Sequence, residues 1–246
     1  MIYVEKNREY VFPGWNDQAV LLLHGATSGS SLLRTLANYL NCLGYTVYGV
    51  NLAGHGGTKE ELEKTTYLDL IEKAEADYAK IRAKHEKVFV AGLSLGGLLT
   101  LYLAAAHPDI PGIIPMASAL DFVETSMFGQ KHDTQYIHRP TTGKVGLYKQ
   151  YHVHHEYVPR AFIQTMHDLA NDFRNRNLAE KVTSPALIVH TKDDSIVYPK
   201  SSQYVYDHIA STDKELAIYE SGEHLFVMTE ERYEPYEKIA DFLAKH

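Results

Sequence analysis

The sequence predicts an α/β fold, in which helices cover both faces of a mostly parallel sheet. Short β-rich runs bounded by glycine alternate along the chain with longer segments of helical spacing. The short runs are continuously apolar, which is typical of strands buried on both faces of a parallel sheet. A length of 246 residues is ample for a sizeable core. We therefore expect residues 1–246 to form a single domain.

The N-terminal half supplies the first predicted elements. Ile2–Val4 and Tyr10–Phe12, on either side of a polar turn, predict a hairpin at the sheet edge. Apolar runs then predict strands, and apolar residues at helical spacing predict the helices between them. The predicted strands are Ala19–His24, Tyr45–Val50, Val88–Ala91 and Ile110–Met116. The predicted helices are Ser31–Leu43, which Gly44 ends, Thr66–His85 and Leu95–Ala106.

The alternation breaks between about residues 119 and 175, a stretch rich in aromatic residues and histidine. Because this stretch contains no buried-strand run, we expect a small, partly helical cap insertion that lies over the sheet. The alternation then resumes and continues to the C-terminus. The last predicted elements are the strand Ala186–His190, the helix Pro199–Ala210, the strand Glu215–Tyr219 and the helix Glu230–Ala244.

Composition and charge exclude several classes of function. The chain has 24 Lys and Arg against 31 Asp and Glu, a net charge of −7, and 45% apolar residues. Apolar residues are too plentiful for a disordered protein, and an acidic chain without a basic block is a poor nucleic-acid binder. The N-terminus is too charged for a signal peptide, and no apolar run reaches the ~20 residues that span a bilayer. With a single cysteine, Cys42, we expect a cytoplasmic protein without a membrane span.

The strongest local feature is the sequence Gly-Leu-Ser-Leu-Gly-Gly at Gly92–Gly97. It directly follows the predicted strand Val88–Ala91 and leads into the helix that begins at Leu95. A serine on such a tight strand-to-helix turn takes a strained backbone conformation, and the flanking glycines let neighbouring elements approach closely. The hydroxyl of Ser94 then stands at the C-terminal edge of the sheet, above a helix N-terminus. The pattern predicts a nucleophile; its structural alternative is a turn needed only for packing.

A serine hydroxyl needs a base, which must lie at the end of a later strand to reach the same edge of the sheet. His224 fits, because it follows the predicted strand Glu215–Tyr219 in a short loop. An acid must in turn hold the imidazole, and Asp193 and Asp194 follow the strand Ala186–His190. Position leaves the choice between the two carboxylates open, since either could instead cap the next helix. The chain order serine, aspartate, histidine is typical of α/β-hydrolases.

An oxyanion needs hydrogen-bond donors, and two backbone N–H groups are predicted to supply them. One belongs to Leu95, the residue after the predicted nucleophile, and the other to Ala26, in the loop after the first long strand. His24 and His55 lie in loops near the predicted site. We interpret both histidines as structural residues that hold these loops.

Five sequence motifs follow one another along nearly the whole chain. They are LLLHG at Leu21–Gly25, GYTVYGVNLAGHG at Gly44–Gly56, GLSLGG at Gly92–Gly97, HTKDDSIVYP at His190–Pro199 and SGEHLF at Ser221–Phe226. Together they resemble the α/β-hydrolase superfamily, and more narrowly the small bacterial carboxylesterases related to monoacylglycerol lipases. The resemblance implies Ser94 as the nucleophile, Asp194 as the acid and His224 as the base. It also implies an oxyanion hole formed by Ala26 and Leu95.

The function that the resemblance implies is that of a serine carboxylesterase acting on short- to medium-chain acyl esters through an acyl-enzyme intermediate, with no cofactor. Monoacylglycerol lipase, hydroxycinnamoyl esterase and serine aminopeptidase stay open as alternatives on the same fold. A ligand-binding protein without turnover is the alternative from another class. We expect a small-molecule ester as the substrate and no nucleic-acid partner, and the sequence leaves a homodimer open.

The predicted cap carries two further expectations. Phe122 and Phe128 are predicted to line the acyl or alcohol pocket, because aromatic side chains over the strand ends suit an apolar substrate. The cap is also rich in histidine, but no cysteine pair or H-E-x-x-H pattern accompanies these residues, so we predict no metal site. The histidines concerned are His132, His138, His152, His154, His155 and His167.

Overall fold

A seven-stranded sheet forms the centre of the part of the chain that the computed structural model describes, residues 7–140, 142 and 145–246. Its strands are β1 (Tyr10–Phe12), β2 (Gln18–Leu23), β3 (Thr46–Val50), β4 (Lys87–Leu93), β5 (Ile113–Met116), β8 (Ala186–Thr191) and β9 (Lys214–Tyr219). They lie in the order β1-β3-β2-β4-β5-β8-β9. All neighbours pair in parallel except β1, which runs antiparallel to β3 at one edge. The mostly parallel sheet predicted from the sequence is confirmed; the predicted strand Ile2–Val4 lies outside the described residues.

Helices connect the strands and cover both faces of the sheet. They are α1 (Arg34–Cys42), α2 (Lys59–Lys64), α3 (Tyr67–Arg82), α4 (Leu95–Ala106), α5 (Gly146–Tyr151), α6 (Arg160–Asn175), α7 (Lys200–His208) and α8 (Tyr233–Lys245). The helix α2 was not predicted from the sequence, although Thr58 and Glu61 form a capping box at its start. The strand β5 begins at Ile113, three residues later than the predicted start at Ile110, because Pro111 has no N–H to give to the ladder. No helix in the described ranges is long and apolar enough to cross a membrane.

Burial on both faces explains why the strands have continuously apolar sequences. In β2, Leu21 and Leu23 pack into the core cluster on one side of the sheet, whereas Val20 and Leu22 pack into the cluster on the other side. Successive side chains of a strand point to opposite faces, so both faces need apolar residues. The sheet is therefore a rigid frame whose strand ends can position loops accurately.

The segment from 119 to 175 holds two further strands outside the main sheet, β6 (Tyr136–His138) and β7 (Tyr157–Pro159). They pair antiparallel as a short ribbon, which the sequence analysis did not predict because each strand has only three residues. The helix α6 follows the ribbon directly. Its buried face packs against α2, α3 and α4 and so ties this segment to the sheet domain. That face consists of Phe162, Ile163, Thr165, Met166, Leu169, Ala170 and Phe173.

The candidate site lies where the parallel strands end. Because β2, β4, β8 and β9 run in the same direction, the loops that follow them meet at one edge of the sheet. These are the loops that carry the residues singled out in the sequence. The segment 119–175 contributes further residues to the same place, among them Arg139, which follows β6, and Tyr148 of α5.

Candidate active site

Ser94 occupies a strained turn between β4 and α4. Its backbone angles are φ 60° and ψ −112°, a conformation that residues with a side chain rarely adopt. A Cβ on Gly92 would lie 2.1 Å from the carbonyl oxygen of Gly96, and one on Gly96 would lie 1.9 Å from that of Leu23. Glycine is therefore required on both sides of the turn. The Ser94 side chain does not cap the helix that follows, so its hydroxyl is available for chemistry.

Asp194 and His224 form a buried hydrogen-bonded pair. The imidazole Nδ1–H of His224 donates to Asp194 Oδ2 over 2.7 Å, and both residues are less than a tenth exposed. The other carboxylate oxygen, Oδ1, accepts the backbone N–H groups of Ile196 (2.8 Å) and Val197 (2.9 Å). The carboxylate thus fixes the imidazole tautomer and leaves Nε2 of His224 without a proton, as a base requires.

The ionised form of Asp194 is strongly favoured. Burial alone raises the pKa of a carboxyl group, but the His224 imidazole and the hydrogen bonds from His190, His224 and Val197 outweigh it. The pKa of Asp194 is held well below its ordinary value. The carboxylate is therefore ionised at neutral pH, where it can only accept hydrogen bonds.

Asp193, the neighbouring carboxylate, has a different role. It is exposed and accepts the backbone N–H groups of Gly222 (3.3 Å) and Glu223 (2.9 Å), in the loop that carries His224. It neither contacts the imidazole nor caps the next helix. Asp193 therefore helps to hold the loop, and Asp194 is the carboxylate that the structure places against His224.

His190, at the end of β8, lies on the far side of the Asp194 carboxylate. Its Nε2 faces two acceptors, Asp194 Oδ2 at 3.1 Å and the Val197 carbonyl at 3.2 Å, so this nitrogen carries the proton. Nδ1 then accepts the hydroxyl of Ser202 over 2.7 Å. His190 and Ser202 are fully buried. The carboxylate is thus held between two imidazole rings, which fixes its position from both sides.

The backbone N–H groups of Ala26 and Leu95 border the same site. Ala26 lies in the loop after β2, and Leu95 is the first residue of α4, where the N–H has no partner within the helix. No acceptor among the described residues takes either N–H group. Gly25 brings the first loop close to the turn, since a Cβ there would lie 3.5 Å from that of Ser94.

Two buried histidines fasten the loop that carries Ala26. Nε2 of His24 accepts the N–H of Leu52 (3.1 Å), and Nε2 of His55 accepts the N–H of Thr27 (2.9 Å). Both rings must be neutral to accept these bonds. Burial lowers the pKa of His24 to about 4 and holds that of His55 well below its ordinary value. The structural interpretation of the two residues agrees with these contacts.

A cavity of about 240 Å³ opens over these groups. Ser94 and His224 line it together with residues of the segment 119–175, among them Phe128 and Arg139. Phe122 was also predicted to line the pocket, but it is not among the lining residues. Its ring stacks on that of Phe128, with 5.3 Å between the centroids. Phe122 therefore supports the wall instead of forming it.

The histidines of the segment 119–175 mostly bond to neighbouring groups of the chain. His132 and His167 each donate from Nε2 to a backbone carbonyl, at 2.7 and 2.8 Å, and His138 lies 3.3 Å from Glu156. His152 and His154 are buried with their ring centroids 5.0 Å apart. Within the described ranges, no group of three His, Cys, Asp or Glu residues is arranged to hold a metal ion.

The roles of His190 and Arg139 and the contacts of Asp193 were not predicted from the sequence. A polar residue at the end of an otherwise apolar strand was a signal for His190, because a buried imidazole needs partners. Arg139 gave no such signal. It lies just after β6, in a ribbon whose place over the sheet depends on contacts far apart in the sequence.

Known proteins resemble this chain over nearly its full length. The thermostable monoacylglycerol lipase of Bacillus sp. (strain H-257) is 31% identical over 92% of this chain and 90% of that protein. The carboxylesterase of Bacillus subtilis (strain 168) is 30% identical over 97% of this chain and 96% of that protein. A solved structure from work on LipS and LipT, two metagenome-derived lipolytic enzymes, superposes with a TM-score of 0.85 at 25% identity, covering 98% of both chains.

A family model described as serine aminopeptidase, S33, matches residues 15–232, which is most of the chain. This match and the two bacterial relatives confirm the resemblance predicted from the five motifs. The chain therefore belongs to this family of α/β-hydrolases, and it is a hydrolase.

Proposed function

We propose that this chain is a serine carboxylesterase that hydrolyses short- to medium-chain acyl esters, with Ser94, His224 and Asp194 as its catalytic residues. The observation that carries the proposal is the buried pair of Asp194 and His224, which borders the cavity that Ser94 lines. A carboxylate that fixes an imidazole beside a serine on a strained turn is the arrangement that activates a hydroxyl. The names of the two bacterial relatives, carboxylesterase and monoacylglycerol lipase, support the same chemistry.

The proposed mechanism follows from the hydrogen bonds. Nε2 of His224 takes the hydroxyl proton of Ser94 as the oxygen attacks the ester carbonyl, and Asp194 stabilises the imidazolium that forms. The N–H groups of Ala26 and Leu95 donate to the oxyanion of the tetrahedral intermediate. His224 then gives the proton to the departing alcohol. Water repeats these steps on the acyl-enzyme and releases the acid.

The volume of the cavity suits a small substrate. Its volume of about 240 Å³ lies below the ~300–1,000 Å³ that is usual for sites of drug-sized ligands. Apolar side chains form much of its wall, which suits an acyl chain. Those that the wall includes are Ala26, Leu32, Met127, Phe128, Ile196 and Leu225.

The charges of the cavity favour an ester over a peptide with a free N-terminus. An aminopeptidase must bind the ammonium group of its substrate, which calls for a carboxylate beside the reacting bond. The half-buried charged residue on this wall is Arg139, which repels an ammonium group. Glu223 also lines the cavity, but it is exposed.

The test is a panel of 4-nitrophenyl esters from acetate to decanoate, with amino-acid 4-nitroanilides as competitors, assayed with wild-type and Ser94→Ala protein. We expect ester turnover that falls about 10⁶-fold in Ser94→Ala, as when the serine of another triad is removed. We also expect a fluorophosphonate probe to label the wild-type protein only. Faster turnover of the anilides, or near-normal ester turnover by a folded Ser94→Ala protein, would contradict the proposal. Absence of both turnover and labelling would favour a binding protein.

A further inference from the structure

Arg139 places a positive charge on the wall of the active-site cavity. It follows the ribbon strand β6, and its backbone N–H donates to the carbonyl of Glu156 over 2.7 Å. Its side chain crosses to the loop after β2, where Nη1 donates to the hydroxyl of Thr27 over 2.5 Å. Thr27 directly follows Ala26, which we propose as an oxyanion donor. The guanidinium is therefore one residue away from the group that would hold the reacting carbonyl.

The guanidinium of Arg139 has few partners among the residues that the structure describes. It carries five N–H donors, and the hydroxyl of Thr27 takes one of them. Among the described residues, no carboxylate lies within ion-pair distance of Arg139. The carboxylate of Glu156 pairs instead with His138. Glu223 lines the same cavity, but its side chain is exposed to solvent. By contrast, Arg174 and Arg176 each pair with an aspartate.

The lack of a counter-charge beside Arg139 is energetically unfavourable. Arg139 is half-buried, and burial lowers the pKa of its guanidinium. A buried charge without a counter-charge costs free energy, so such groups are usually paired with an acid or with a ligand. The apolar side chains that form much of the cavity wall cannot neutralise it.

The shape of the group indicates which ligand would fit. A guanidinium is a planar fork that matches a carboxylate through two parallel hydrogen bonds, which makes it selective for this anion over a neutral group. The net charge of the whole chain is −7, so long-range attraction does not draw anions to the protein. Any preference for an anionic substrate must therefore come from a local group.

We propose that the substrates of this enzyme are esters that carry a carboxylate, and that Arg139 binds this carboxylate while Ser94 attacks the ester carbonyl. This inference rests on the ester hydrolysis proposed above and narrows its substrate class. The carboxylate can belong to the acyl part, as in a half-ester of a dicarboxylic acid, or to the alcohol part, as in an acylated hydroxy acid. Both have the same chemistry at Arg139, and two substrate series separate them.

The experiment compares charged esters with neutral esters of the same shape. The acyl series pairs 4-nitrophenyl hydrogen glutarate with 4-nitrophenyl 4-carbamoylbutanoate, and the alcohol series pairs 4-acetoxybenzoate with 4-acetoxybenzamide. The readout is the ratio of kcat/KM for the charged ester to that for the neutral ester, which does not depend on the amount of active enzyme. The proteins are wild type, Arg139→Gln, Arg139→Lys and, as a matched control, Arg160→Gln. Arg160 is an exposed arginine at the start of α6 that does not line this cavity.

We expect Arg139→Gln to lower the ratio about 10- to 100-fold in one of the two series. This is the usual contribution of a hydrogen bond between charged groups to the binding of a ligand. Arg139→Lys keeps the charge but loses the planar fork, so its ratio should lie between those of wild type and Arg139→Gln. Arg160→Gln removes the same charge and should leave the ratio as in wild type. If the ratio is the same in all four proteins and in both series, Arg139 only holds the Thr27 loop and the inference is wrong.

A binding measurement separates this inference from the proposed function. Calorimetry on the wild-type protein compares glutarate with glutaramide, its neutral counterpart, and needs neither turnover nor a variant that folds. Binding of glutarate at least about tenfold tighter supports the anion site, whereas equal binding overturns it. If the protein binds glutarate selectively but hydrolyses no ester, the proposed function fails and the anion site stands.

Discussion

Two regions of the molecule meet at the cavity, and they are built in different ways. The sheet edge consists of the loops after β2, β4, β8 and β9, which carry Ala26, Ser94, Asp194 and His224. The cap segment, residues 119–175, brings Phe128 and other residues over that edge. The sheet-edge groups follow strands whose positions parallel pairing fixes, whereas the cap residues depend on a short ribbon and on loops. We infer that the sheet edge sets the chemistry and that the cap segment sets the choice of substrate.

The largest expected effect on activity comes from the sheet edge, where it distinguishes the roles of two adjacent carboxylates. Asp194→Asn should lower kcat for an aryl ester about 10⁴-fold, the loss known for the corresponding change in a serine protease triad, because an amide can hold His224 in the wrong tautomer. Asp193→Asn should cost less than about tenfold, since its amide oxygen can still accept the shorter of the two bonds, from the N–H of Glu223, and only the longer bond from Gly222 is lost. Steady-state kinetics on both variants measures the difference.

Circular dichroism and the melting temperature serve as controls for this pair of variants. Both proteins must be folded for the comparison to count. If Asp193→Asn loses more activity than Asp194→Asn, the hydrogen bond seen between Asp194 and His224 does not operate in catalysis, and the division of roles within this loop is wrong.

The next effect concerns stability at acid pH and involves both regions. His24 and His55 belong to the sheet edge and His155 to the cap segment, and burial lowers the pKa of all three, to about 4 for His24 and His155. The folded protein keeps these rings neutral, whereas the unfolded chain takes up protons near pH ~6.5. Between these values the unfolded state binds more protons, so the free energy of unfolding falls as the pH falls from 6.5 towards 4. For His24 and His155, the two residues with a pKa of about 4, this loss amounts to at most about 3 kcal/mol each.

Urea unfolding between pH 7.5 and 5 tests this dependence. His155→Gln should make the free energy of unfolding less dependent on pH, because it removes one of the three rings. His208→Gln is the matched control, since His208 is exposed on α7 and should leave the slope as in wild type. A free energy of unfolding that does not change with pH would mean that the rings are not held neutral by burial.

The same contrast explains how much of the molecule the sequence could predict. The turn at Ser94 is a local pattern, with glycines at fixed offsets between an apolar strand and an apolar helix, so its conformation can be inferred from a few residues. The position of His224 beside Ser94 can be inferred because the loops that follow parallel strands meet at one edge of the sheet. The choice of Asp194 over Asp193 needed more than position, because it depends on how the loop returns at Val197. Arg139 could not be placed, since its contact with Thr27 joins residues 112 positions apart.

Substitution of His190 is expected to have a smaller effect on kcat, and it tests how the sheet edge holds Asp194. It does not touch the cavity, and it acts by holding the Asp194 carboxylate from the side opposite to His224. His190→Ala should lower kcat about tenfold with little change in KM, because the loss of one hydrogen bond lets the carboxylate shift. His190→Gln, whose amide can still donate, should recover part of the rate. Equal kcat in wild type and His190→Ala would show that the other three hydrogen bonds suffice to hold Asp194.

The smallest effect is expected within the cap segment, between two aromatic rings in contact. Phe128 lines the cavity, whereas Phe122 stacks on Phe128 and does not line it. Phe128→Ala should enlarge the cavity and raise the ratio of kcat/KM for octanoate to that for acetate about fourfold, the effect of burying one further methylene group at about 0.8 kcal/mol. Phe122→Ala should change this ratio less than about twofold, because the wall itself remains. The panel of 4-nitrophenyl esters measures both ratios.

The stabilities of the two variants show whether a change in chain-length preference is specific. Phe128 is 7% exposed, so its truncation is also expected to destabilise the fold, by about 3 kcal/mol. A general loosening of the protein would lower the rates on acetate and octanoate together and would not change their ratio. A changed ratio in Phe128→Ala, set against an unchanged one in an equally destabilised Phe122→Ala, would therefore locate the acyl chain against Phe128. If both variants lower all rates in proportion to their melting temperatures, the two rings serve only as core, and the choice of substrate must depend on other residues of the cap segment.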